Sequence, residues 1–92
     1  MYEIIPSNQF KKDIKSAQSR GYNMELIREV IKILASGEKL PPKYRAHQLT
    51  ASKKYKDVNE CHIQPDWLLI YKINNNKLML YLLRTGTHSD LF

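Results

Sequence analysis

The sequence predicts an α+β fold: two N-terminal helices packed on a small, antiparallel-rich, twisted sheet. Three features point to it. Two apolar stripes at helical spacing occupy the first part of the chain, three short apolar runs separated by turn residues occupy the last part, and a basic segment with two prolines lies between them.

Residues 2–5 read as a short strand, after which Pro6 and Ser7 offer a helix start and Phe10, Ile14 and Ala17 follow at spacings of four and three. This helix is expected to end near Gly21. Asn23 caps a second one, whose stripe is Leu26, Ile27, Val30, Ile31 and Leu34. Glu25 and Glu29 lie early, where the helix dipole favours acids, and Gly37 supplies the stop. Residues 54–64, 67–73 and 77–83 read as strands. In the first of these, alternation sends Glu60 and His62 to one face and Cys61 and Ile63 to the other. WLLIYKI is nearly continuous apolar sequence and suits a central strand, and Asn74, Asn75 and Asn76 suit a hairpin turn. Residues 40–52 read as a long, functional loop.

With 92 residues the chain forms one domain, 1–92, without repeats or a linker. Its 15 Lys+Arg against 9 Asp+Glu give a formal charge of +6, concentrated at Lys39, Lys43, Arg45, Lys53, Lys54 and Lys56. A concentrated basic stretch favours a polyanionic partner, though a solvated lysine-rich loop has the same composition. The start MYEIIPSNQF lacks a signal-peptide pattern, and no apolar run approaches a membrane span, so a cytoplasmic protein without membrane association is expected. The single cysteine, Cys61, fits a reducing compartment.

A hairpin turning between Ile73 and Lys77 pairs residues whose numbers sum to about 150, which sets Trp67 opposite Leu83. A turn at Pro65 pairs His62 with Leu68. His62, Asp66, Trp67 and Arg84 are then expected at one end of the sheet, with His88 within reach and His47 in the adjoining basic loop. Each has an ordinary explanation: a half-buried strand histidine, a turn aspartate, a core tryptophan, a surface arginine. Their coincidence at one edge favours chemistry.

That set matches RNA cleavage by internal attack. A base takes the proton from the 2′-hydroxyl, an acid protonates the departing 5′-oxygen, and a cation stabilises the pentacoordinate phosphorus. Histidine serves as either partner near neutrality. Neither a metal nor any other cofactor is expected. A zinc site from Cys61, His62 and Asp66 is disfavoured because adjacent strand residues point to opposite faces, and Cys61 points away from His62 as a nucleophile would not. Neither a phosphate-cradling glycine loop nor a serine-nucleophile motif occurs.

HQL at 47–49, ECHIQPDWLLIYK at 60–72 and RTGTHSDLF at 84–92, preceded by a helical hairpin, resemble the YafQ-type toxins of the RelE/ParE superfamily over essentially the whole chain. The combination of HxxPDWLLIY with RTGTHxxLF is specific; either piece alone is only suggestive. The resemblance implies a RelE-like fold and a toxin of a type II toxin–antitoxin system that cleaves mRNA in the ribosomal A site and so inhibits translation. It also implies a cognate DinJ-like antitoxin, the ribosome and mRNA as partners, and promoter DNA only through the antitoxin. Carried over by position, the functional histidines and acid fall on His47, His62, Asp66 and His88. Arg84 is expected to hold the scissile phosphate, and Trp67 and Phe92 to meet the substrate. Glu60 stands where an aspartate can occur, and Lys53, Lys54 and Lys56 are expected to bind RNA. His88 is expected as general acid and Asp66 with His62 as base, the two assignments being interchangeable. His47 is expected on the phosphate or nucleotide. The rival readings are a non-catalytic ParE-like toxin, a basic RNA-binding module stacking bases on Trp67, Tyr44, Tyr55 and Phe92, and a ribosome-independent nuclease.

Overall fold

Ser7 and Asn23 start the helices as the sequence suggests. In the computed structural model, which describes residues 1–49, 55 and 57–92, the Ser7 hydroxyl accepts the Phe10 N–H and the Asn23 side chain accepts the Glu25 N–H. Helices α1 (Asn8–Ser19) and α2 (Met24–Ala35) follow, and Gly21 and Gly37 beyond their ends take the left-handed conformation that glycine adopts without strain. Strand β1 (Glu3–Pro6) precedes α1. After α2 come a single 3₁₀ turn at Pro42–Tyr44, β2 (His47–Leu49), β3 (Val58–Gln64), β4 (Trp67–Asn74), β5 (Met79–Gly86) and a one-turn helix α3 (His88–Leu91).

The sheet order is β1-β5-β4-β3-β2, with β1 parallel to β5 and the other pairs antiparallel. One face carries the main core. There Phe10, Ala17, Ile27, Val30 and Leu34 of the helices meet Cys61, Ile63, Trp67, Leu69, Tyr71, Leu80 and Leu82 of the sheet. The opposite face carries a smaller cluster, in which Val58, Leu68 and Ile70 are covered by Leu91 of α3. WLLIYKI is therefore apolar because its first part is covered on both sides.

Two expectations change. The basic segment is not a plain loop, since it holds the 3₁₀ turn and a strand: His47, Gln48 and Leu49 pair with Glu60, Asn59 and Val58. The β4–β5 register also differs from the one expected. Lys72 lies opposite Tyr81, and beyond a bulge Ile70 lies opposite Arg84 and Leu68 opposite Gly86. The turn is wider than the asparagine run implies: Asn74 pairs with Met79, its side chain accepts the Lys77 N–H, and the left-handed residue is Leu78, not an asparagine. A wider turn and a bulge displace every partner toward the C-terminus. Arg84 consequently sits within the sheet instead of at its end.

Candidate active site

β3 alternates as the sequence indicates. Cys61 and Ile63 join the helix-side core, while Glu60 and His62 pair with Ile70 and Leu68 and share the opposite face. Pairing with Glu60 brings His47 of β2 to that same face. The His62–Leu68 pairing is as expected; a bulge at Ile63 then lets the strand close on Trp67.

The three histidines form a row. Ring centroids of His47 and His62 are 6.4 Å apart, those of His62 and His88 6.3 Å, and Phe92 continues the row 5.7 Å from His88. Backbone carbonyls orient two of the rings: His47 Nδ1 lies 2.9 Å from the Arg45 carbonyl and His62 Nδ1 3.2 Å from that of Pro65. Each therefore turns Nε2 toward Glu60, whose Oε1 lies 3.4 Å from His47 Nε2 and 3.5 Å from His62 Nε2. Glu60 is only 4% exposed and faces both imidazoles.

His88 arrives from the other side on α3. Asp66 Oδ1 accepts the His88 backbone N–H at 3.1 Å and stands 3.7 Å from His88 Nδ1. Thr87 and Asp90 cap the helix reciprocally, and Leu91 is fully buried. This helix was not read from the sequence, although the T-x-x-D spacing of Thr87 and Asp90 before Leu91 is the signal that could have found it.

Arg84 is placed differently from expectation. Its Nε and Nη2 donate to Asp13 of α1 at 3.0 and 3.1 Å, and the Thr85 N–H donates to the same carboxylate at 3.1 Å. Burial opposes ionisation of Asp13, but the bonds from Arg84, Gln9 and Thr85 outweigh it and hold the carboxyl below its ordinary range. Arg84 thus fastens α1 to β5, with Tyr55 beside it and Tyr55 in turn edge-on to Phe92 at 5.4 Å. Asp13 is a residue that the sequence reading missed, because a single acid among the lysines of a helix carries no signal of a partner 71 positions away.

Trp67 is 1% exposed and packs edge-on against Tyr22 at 4.9 Å. Phe92, at 52%, is open. Lys53, Lys54 and Lys56 lie outside the described residues. Beside His62 a cleft of about 370 Å³ is lined by Leu26, Lys43, Tyr44, Arg45 and the β3–β4 turn. Neither Lys43 nor Arg45 has a carboxylate partner among the described residues. The described residues hold no group of three His, Cys, Asp or Glu spaced to bind a metal ion, and none of their helices is long and apolar enough to cross a membrane.

A two-helix layer on one face of a small mixed sheet, with a row of imidazoles on the other, defines a RelE-like toxin fold. The family described as bacterial toxin of type II toxin–antitoxin system, YafQ, matches residues 2–92, and the chain belongs to it. The chain is 38% identical over 91 residues to the mRNA interferase toxin YafQ of Escherichia coli K12, covering 98% of this chain and 95% of that protein. In three dimensions it is similar to a metal-bound toxin from Helicobacter pylori, with a TM-score of 0.91, 40% identity and both chains covered completely. It is likewise similar to YafQ in the E. coli DinJ–YafQ complex, with a TM-score of 0.89, 38% identity, and 100% and 99% of the two chains covered.

Proposed function

We propose that this toxin is an mRNA interferase that cuts message in the ribosomal A site by general acid–base catalysis. The observation that carries the reading is the row His47–His62–His88 on the sheet face away from the helices, with Asp66 against His88 and Glu60 beneath the other two. RNA supplies its own nucleophile, so the protein need only move protons and offset charge. His62, with Asp66 nearby, takes the proton from the 2′-hydroxyl; the 2′-oxygen bonds to phosphorus as the bond to the 5′-oxygen breaks; His88 protonates that oxygen. The products are a 2′,3′-cyclic phosphate and a 5′-hydroxyl. His47 faces the phosphate from the other side of His62, and Phe92 offers an open ring to a base. Arg84, bound to Asp13 and beside Tyr55, contributes its positive charge at a distance. No metal takes part in this scheme, so toxin treated with a chelator, and freed of it before addition to ribosomes in magnesium buffer, should cleave as well as untreated toxin.

The basic cleft beside His62 extends the path for the RNA strand, and Lys39, Lys43 and Arg45 supply a cationic surface for ribosomal RNA. A DinJ-like antitoxin is the proposed partner in the cell; promoter DNA is reached through it, and the compartment is the cytoplasm, where ribosomes are. The purified protein added to a translation reaction, with and without ribosomes on the message, tests the function by primer extension. Codon-phased cuts that need ribosomes support it. Cuts in naked RNA would make the protein a ribosome-independent nuclease, and intact message would turn attention to topoisomerase inhibition or RNA binding without cleavage.

A further inference from the structure

We propose that Arg20 is a positioning residue for cleavage: its two-pronged grip on Asp90 fixes α3 and thereby aims the His88 imidazole at the scissile phosphate. The inference rests on the reading above, in which His88 transfers a proton.

A helix of one turn cannot hold itself, since isolated helices shorter than about 12–15 residues are marginal in water. α3 is therefore held by what surrounds it. Leu91 is fixed in the small core, with its carbonyl accepting the Tyr55 hydroxyl at 3.1 Å, and the His88 N–H is fixed by Asp66; Asp90, between them, is held from α1. Its Oδ2 accepts both the Thr87 N–H at 3.0 Å and Arg20 Nη1 at 2.8 Å, and its Oδ1 faces Arg20 Nη2 at 3.3 Å. These bonds hold the Asp90 carboxyl well below the usual carboxylate range. One carboxylate thus joins the capping box of α3 to the last residue before the turn out of α1.

Arg20 is itself well fixed. It caps α1 with its N–H directed to Ser16 and Gln18, and α1 is tied to β5 by Asp13 and Arg84. Tyr22, which packs against buried Trp67, stands beside the guanidinium. Gly86 lets the chain come this close, because a Cβ there would lie 2.9 Å from the Asp90 Cβ. Trp67, Tyr22, Arg20 and Asp90 thus form one continuous line of contacts. The His88 ring is the group that needs this support, for its side chain is 61% exposed and its Nδ1, at 3.7 Å from Asp66, lies beyond hydrogen-bond distance.

The Arg20 and Asp90 side chains are 46% and 30% exposed, so the pair contributes little to stability and its loss should register in catalysis. Misplacement by about 1 Å can cost on the order of 10²-fold in rate. On the full chain acting on translating ribosomes, Arg20→Met is expected to lower kcat by about 10- to 100-fold, with KM and the thermal midpoint close to wild type. Because the effect runs through His88, adding Arg20→Met to His88→Gln should cost nothing more. An unchanged kcat, or an equal loss in the His88→Gln background, would overturn the proposal. Should the wild-type protein prove unable to cleave on ribosomes, the catalytic reading falls separately. The clamp is then decided by the His88 ring proton resonances, which shift on Arg20→Met if it orients the ring and stay put if it does not.

Discussion

Asp66 and His88 meet twice across 22 residues of sequence: Asp66 Oδ1 receives the backbone N–H of His88 and also faces its Nδ1. One oxygen thus anchors the helix and supplies a negative charge to the ring that the helix carries.

The two roles separate by substitution. Asp66→Asn retains an oxygen that can accept the backbone bond and removes the charge, whereas Asp66→Ala removes both. With Asp66 70% exposed, both variants should fold normally. Turnover is expected to fall by about 10²- to 10⁴-fold in each, the range typical of lost acid–base assistance. An active Asn variant beside an inactive Ala variant would reduce Asp66 to an anchor.

Glu60 is expected to act on kcat. Its buried carboxylate faces the Nε2 atoms of His47 and His62, so Glu60→Gln should lower turnover by at least about tenfold through the orientation of both rings. Steady-state kinetics decide the matter: a rise in KM with kcat unchanged would mean a substrate contact instead.

Asp13 should make stability pH-dependent. Its folded-state carboxyl lies below the ordinary value of 3.8, so the unfolded chain takes up the proton first on acidification. The stabilisation is fully present above 3.8 and is lost as pH falls through the lower folded value. Its side chain is 9% exposed and takes bonds from a guanidinium, so Asp13→Asn is expected to cost about 1.5–3 kcal/mol at pH 7 in urea denaturation. The gap to wild type should narrow in acid below pH 3.8; a constant gap would show that the carboxylate charge is not involved.

Cys61 should be inert. It has no exposed surface, and burial, with Glu60 adding to it, pushes its thiol up to about 12. Iodoacetamide at pH 7.5 is expected to label it only after denaturation. Rapid labelling of the native protein would mean that β3 opens readily.

Much of this architecture can be read along the chain because its signals are local. The stripe from Leu26 to Leu34, the caps at Ser7 and Asn23, and the alternation that separates Glu60 and His62 from Cys61 and Ile63 depend on neighbouring residues alone. A hairpin register and the family resemblance together pointed to His47, His62, Asp66, Arg84 and His88, of which the structure gathers all but Arg84 in one row. The sequence did not reveal that His47 lies on a strand against Glu60, that Arg84 turns to Asp13, or that Arg20 reaches Asp90. Sequence by itself determined which faces are apolar and where the helices start, since those follow from side-chain periodicity and capping. Tertiary structure decided the register, the bulges at Ile63 and beside Ile70, the parallel seat of β1 and the packing of α3. The backbone groups that pair strands are the same at every residue, so only the packed whole selects which of them meet.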